Sequence, residues 1–229
     1  MTAMLVCVGA FGQGKLSFQV DSTQLIYLTP YEGLLLPADR NKPGGVGGFP
    51  FSLAGSSLYA GASLAGSPSF TAALFAGATA NSLSQVAITT LADAALAGQL
   101  NPVNLTLAGL PAGTTAFFQI QVFDSRATST ANAWATFNPA DPTDVYSMYA
   151  GETGVFSAVP QASVYSPIWQ ATAPVSSTLP VGTFVPKDYA AYPGYAGLIE
   201  VYAIPSPEPS TFALAGLGAA ALIIARRRR

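Results

Sequence analysis

The chain has no histidine and one cysteine, and only 9% of its 229 residues are charged. An ordinary soluble domain carries about 25% charged residues. Each shortage removes chemistry. Without histidine there is no Ser-His-Asp or Cys-His arrangement and no imidazole ligand for a metal. A lone cysteine, Cys7, forms no intramolecular disulfide. Basic residues are just as scarce. Without Arg226, Arg227, Arg228, Arg229 and Glu208, five basic residues face ten acidic ones. No basic patch neutralises phosphates, so nucleic acid is not an expected partner.

The remaining catalytic patterns fail on context. A Ser-Lys pair would need Lys15, Lys42 or Lys187, and no motif surrounds any of them. Gly44 to Gly48 is rich in glycine but runs into Phe49-Pro50 with no Lys-Ser or Lys-Thr, which makes it a flexible turn and not a phosphate loop. Glycoside hydrolysis needs only two carboxylates, and Asp141, Asp144, Asp124 and Glu152 are the available ones. Loop carboxylates beside proline, as at Asp141 and Asp144, are ordinarily turn formers. The same two could offer hard oxygen ligands to calcium, but no spaced calcium loop is present. The expectation is therefore no enzyme, no cofactor and no metal.

What the chain does have is small residues and period-two patterning. Phe118, Ile120 and Val122 alternate with Gln119 and Gln121, and Val103, Leu105 and Leu107 alternate with Asn104 and Thr106. The intervening Gly109-Leu110-Pro111-Ala112-Gly113 has turn chemistry, so the two segments read as a β-hairpin. Further strands are expected at Leu16–Val20, Leu25–Leu28, Phe70–Ala76, Trp134–Phe137, Val155–Val159 and Gly197–Ala203, with one helical turn over Thr90–Ala97 stopped by Gly98. Residues 39–50 and 138–144 read as loops. The expected fold is mainly β, an antiparallel β-sandwich over residues 13–204 that patterning leaves open between jelly-roll and immunoglobulin-like topologies. Trp134 and Trp169 are core residues on this reading, or glycan contacts if exposed.

The ends differ from the body. Met4 to Phe11 is a short apolar run, and Ala10-Phe11-Gly12 supplies small residues for cleavage before Gln13. Residues 1–12 thus read as the remnant of a signal peptide whose start lies upstream, with a buried first strand as the alternative. At the other end, Pro205-Ser206-Pro207-Glu208-Pro209-Ser210 is expected to be stiff and extended. Phe212 to Ala225 follows without a charge, and four arginines close the sequence. As a helix these residues reach about 21 Å, short of a hydrocarbon core of roughly 30 Å, which suits a temporary membrane anchor. The arginines stop the chain at the cytoplasmic face and place the body outside.

Pro207-Glu208-Pro209, the apolar segment and the terminal arginines together resemble the PEP-CTERM sorting domain of bacterial exosortase substrates. The resemblance covers residues 205–229, about a tenth of the chain. It implies export, retention in the inner membrane by a single short transmembrane helix at 212–225, and processing near Pro207, Glu208 and Pro209 by an exosortase. It also implies a destination at the cell surface or in an extracellular matrix, with exopolysaccharide as a partner. Ala73-Leu74-Phe75-Ala76-Gly77, the run Gln119 to Asp124, and Tyr149 to Phe156 resemble the bodies of secreted PEP-CTERM proteins of the verrucomicrobial kind, with Phe123 and Thr153 where those relatives usually carry Trp and Ser. No activity is implied by that body. The expected function is a non-enzymatic surface or matrix protein; the alternative is a carbohydrate-binding module displayed in the same way.

Overall fold

The computed structural model describes residues 12–20, 25–29, 31–40, 42, 53, 55–62, 64, 69–135, 148–168 and 197–203. These hold nine strands: β1 (Gln13–Phe18), β2 (Leu25–Leu28), β3 (Phe70–Gly77), β4 (Ser84–Thr90), β5 (Val103–Pro111), β6 (Ala116–Asp124), β7 (Ala150–Glu152), β8 (Phe156–Ala158) and β9 (Gly197–Val201). One short helix, α1, spans Thr130–Ala135, and there are three short 3-10 turns.

The mainly β, antiparallel expectation holds. The largest sheet runs β4-β3-β6-β7, with β8 also paired to β6; β1 pairs with β5, and β2 with β9. The β2–β9 pair is parallel, which departs from a purely antiparallel arrangement. A parallel partner needs a long connection, and some 170 residues of chain separate these two strands.

Strand β6 organises the core. Its even residues Ala116, Phe118, Ile120 and Val122 are buried, and β3 presents Phe70, Ala72, Leu74 and Ala76 beside them. The register sets small against large: Ala72 faces Val122 and Ala76 faces Phe118. Side chains of such unequal size on facing positions fill a shared layer without voids. Leu16 and Phe18 of β1, Ile26 and Leu28 of β2, and Ile199 and Val201 of β9 join the same hydrophobic cluster, so all three sheets share one core.

The expected hairpin of residues 103–107 with 115–123 does not form. Strand β5 pairs with β1, and β6 pairs with β3 on one side and with β7 and β8 on the other. Both edges of β6 are occupied, which leaves β5 no ladder to join. The turn between them is held instead by other segments: Ala112 N–H donates to Gly12 O and Gly113 N–H to Pro160 O, each at 2.9 Å.

Trp134 does not begin a strand. It lies in α1, and Phe137 lies outside the described residues. Ala131, Ala133 and Ala135 mimic strand alternation but have the highest helix propensity. Ser129 caps the helix, its hydroxyl accepting from Asn132 N–H at 3.0 Å. The expected turn at Thr90–Ala97 shortens to Ala94–Leu96, capped by Asp93 and ended by Gly98 at φ +85°. Thr90 itself belongs to β4, a strand the patterning missed. The 39–50 loop is described only at Asp39, Arg40 and Lys42, and residues 138–144 lie outside the described residues.

One close approach requires glycine. A Cβ at Gly151 would lie 2.1 Å from the carbonyl oxygen of Glu200. There β7 meets the end of β9, and Ala150 and Tyr202 exchange two main-chain hydrogen bonds of 3.0 Å. This contact joins the parallel pair to the large sheet.

A buried polar contact fixes the loop after β2. The Tyr149 hydroxyl donates to Asp39 Oδ2 at 2.9 Å and accepts Leu36 N–H at 3.0 Å, while Lys42 Nζ reaches Asp39 Oδ1 at 2.7 Å. Asp39 is fully buried. Burial, and then the Asp39 charge, push the Tyr149 phenol well above its ordinary pKa, so it stays a donor. Tyr149→Phe leaves the buried Asp39 carboxylate and the half-buried Leu36 N–H without this partner. It should lower the unfolding free energy by about 1–3 kcal/mol in urea titrations, with no change in strand content by circular dichroism.

Candidate functional site

Two places on the molecule carry concentrated polar chemistry, one on the body and one at the C-terminal end. On the body, strand alternation sends the odd residues of β6 to the face opposite the core. Gln121 lies directly across from Glu152 of β7 and from Ala73 of β3. Helix α1 packs over one end of this outer face, where Ala73, Phe123, Ala127, Ala133 and Ala150 form a second small apolar cluster. The start of the helix therefore falls beside Gln121 and Glu152.

The contacts there are connected. Thr130, 1% exposed, donates its hydroxyl proton to Glu152 Oε2 at 2.6 Å. Its N–H donates to Gln121 Oε1 at 3.4 Å. Gln121 Nε2 donates to Gln119 Oε1 at 3.3 Å, and Gln119 Nε2 to Thr153 O at 3.1 Å. The Thr153 hydroxyl in turn accepts Ile120 N–H at 3.0 Å. Sequence reasoning noticed Gln119 and Gln121 only as the polar side of a strand, and Thr130 not at all. The available signals for a helix start, Ser129 as cap and the alanines after it, were masked by the strand-like alternation of those alanines.

The two described carboxylates offered for glycoside hydrolysis, Asp124 and Glu152, do not come together. Asp124 is on the even side of β6 and Glu152 faces odd-numbered Gln121, so alternation sends them to opposite faces of one sheet. Asp124 is also engaged: Arg126 donates from its main-chain N–H and from Nε to Oδ1, at 3.0 and 2.9 Å, and from its other guanidinium nitrogen to Oδ2. These bonds to the carboxylate hold the guanidinium pKa up. Asp141 and Asp144 lie outside the described residues. Among the described residues no group of three or more His, Cys, Asp or Glu side chains is placed to hold a metal ion. Both described lysines are occupied too. Lys42 pairs with Asp39, and Lys15 Nζ sits 5.4 Å from the centre of the Tyr165 ring. Lys187 and Cys7 lie outside the described residues, as do Trp169 and the side chain of Trp134.

Tyr202 borders the Glu152 site. Burial, then the charges of Glu152 and Glu200, raise its phenol from 10.0 to about 12. The sign of the linkage follows. Above pH 10 the unfolded phenol ionises while the folded one keeps its proton, so the native state binds more protons and stability falls with rising pH. Unfolding free energies measured from pH 9 to 12 should decline, and Tyr202→Phe should decline less steeply over that window.

At the C-terminal end, Ile199 and Val201 are fully buried, and Ala203 N–H donates to Leu34 O at 2.9 Å. Ala203 is the last described residue, four residue steps before Pro207. An extended chain covers at most about 14 Å in four steps. Pro207, Glu208, Pro209 and the arginines Arg226 to Arg229 lie outside the described residues, as does 212–225. Among the described residues no helix is long and apolar enough to cross a membrane.

No curated protein and no solved structure matches the chain. Residues 207–229 do match a known family, described as the PEP-CTERM protein-sorting motif, and a motif of this class supports export and sorting by an exosortase.

Proposed function

We infer that the chain is a non-enzymatic surface or extracellular-matrix protein, exported, held for a time in the inner membrane by its tail, and released by an exosortase. The match of residues 207–229 to the sorting motif carries the reading. In it, residues 1–12 are the remnant of a signal peptide and 13–204 form a β-sandwich body akin to the verrucomicrobial kind. Helix 212–225 is the anchor, and Arg226 to Arg229 hold its end at the cytoplasmic face. Exopolysaccharide is the partner at the destination.

The non-enzymatic reading draws on what the described side chains are doing. Asp124 and Glu152 lie on opposite faces, Lys15 and Lys42 are engaged, and the sequence has no histidine. No described side chain carries the carbohydrate-binding alternative, because Trp169 and the side chain of Trp134 lie outside the described residues.

Within the motif, Pro207 and Pro209 hold the chain extended. Glu208 is the sole charge between Glu200 and Arg226, and so the natural handle for a basic pocket in the processing enzyme. Glu208→Gln keeps the shape and removes the charge. In a host with an exosortase this variant should be exported but remain uncut and membrane-bound, as read by mass and fractionation. Deleting Arg226 to Arg229 should instead let the protein slip through unprocessed. Trimming of Glu208→Gln at the wild-type rate would reduce Glu208 to a linker residue and favour a plain membrane anchor.

A further inference from the structure

The contacts of Thr130 are more than a helix strap requires. A threonine at the start of a helix ordinarily spends its hydroxyl on nearby main-chain groups. Here Ser129 takes the capping bond to Asn132 N–H. The Thr130 hydroxyl is left to aim its proton at the Glu152 carboxylate, 2.6 Å away. A hydroxyl and a base at that separation form an activated nucleophile. The group beside it is a carboxamide: Gln121 Oε1 accepts the N–H of Thr130 itself, which draws electrons from the amide carbonyl. Gln121 and Glu152 are directly opposed across β6 and β7, so the electrophile and the base are cross-strand neighbours. Thr130 is 1% exposed, which keeps water from competing at its oxygen.

We propose that Thr130 and Gln121 join through an intramolecular ester, with Glu152 as the proton carrier. Glu152 Oε2 takes the hydroxyl proton as Thr130 Oγ1 bonds to the side-chain carbonyl carbon of Gln121. The carbonyl electron pair moves to Oε1, where the Thr130 N–H stabilises the developing charge. Return of that pair breaks the carbon–nitrogen bond, and Glu152 gives its proton to the departing nitrogen, which leaves as ammonia. One hydroxyl and one primary amide become one ester and one ammonia; nothing is oxidised or reduced, and no co-reactant is consumed. The product ties α1 to β6 in a chain with no cysteine pair to do so. This inference is independent of how the tail is sorted.

Trypsin exposes the bond directly, because Arg126 is the one Lys or Arg between Gln121 and Thr130. Cleavage there separates the two residues into different peptides unless they are linked. The full chain should give a linked pair lighter by one ammonia than its two peptides together, and hydroxylamine should part it. Thr130→Val and Glu152→Gln should abolish the linked pair, while Thr130→Ser, which keeps a hydroxyl, should retain it. Two separate wild-type peptides of unmodified mass would overturn the proposal. So would an ammonia loss found only at an N-terminal Gln13, since cyclisation of that residue links nothing. A linked pair that persists in Thr130→Val would overturn it as well.

Discussion

Strand β6 has no free edge, and most of the architecture follows from that. With β3 on one side and β7 and β8 on the other, its even residues commit to the core and its odd residues to the opposite face. A slip of one residue would move Phe118, Ile120 and Val122 out of the core together, so the register is strongly determined. The same occupancy diverts β5 to β1 and brings the first strand of the body into the shared core. It also places Gln121 against Glu152, the pairing on which the contacts of Thr130 depend.

Legibility in the sequence tracks burial. Leu25–Leu28 has the predicted bounds, and Phe70–Gly77 and Gly197–Val201 fall within two residues of them, because these strands bury their apolar side chains. Strand β4 escaped notice for the opposite reason. It is an edge strand whose apolar residues Val86 and Ile88 are exposed, and its alternation is broken by a register shift opposite Leu74 and Phe75. The hairpin of β5 and β6 was misread because turn chemistry says where the chain reverses, not which strand already holds the neighbouring ladder. Likewise the parallel pairing of β2 with β9 is set by contacts far apart in sequence. Of the α1 site, only the carboxylate and the amides were visible as residue types. Their meeting with Thr130 depends on a helix whose alanines look like strand alternation.

Edges matter for a β protein, since an open strand can pair with another chain, and both ends of the large sheet are blunted. On the β4 side the register shift bends the strand, and Asn101 N–H caps Thr90 O at 3.1 Å. On the other side β7 is only three residues long and is covered by Tyr202 through Ala150. These are structural substitutes for edge lysines, which are scarce in a body with only three lysines.

The short stretch of chain between the buried end of β9 and the motif also bears on sorting. At most about 14 Å of chain separates Ala203 from Pro207. On the proposed reading the anchor begins at Phe212, nine residue steps from Ala203, so the body lies within about 32 Å of the membrane and a processing enzyme must act on a segment with little slack. Electrostatics favours the next step. With ten acidic and five basic residues, the body is not drawn to anionic headgroups, whereas the arginines that are drawn to them are confined to the last four positions. On the proposed reading, cutting near Pro207 removes the apolar segment 212–225 and the four arginines together. On that reading, release needs the cut alone and no change in the fold of the body.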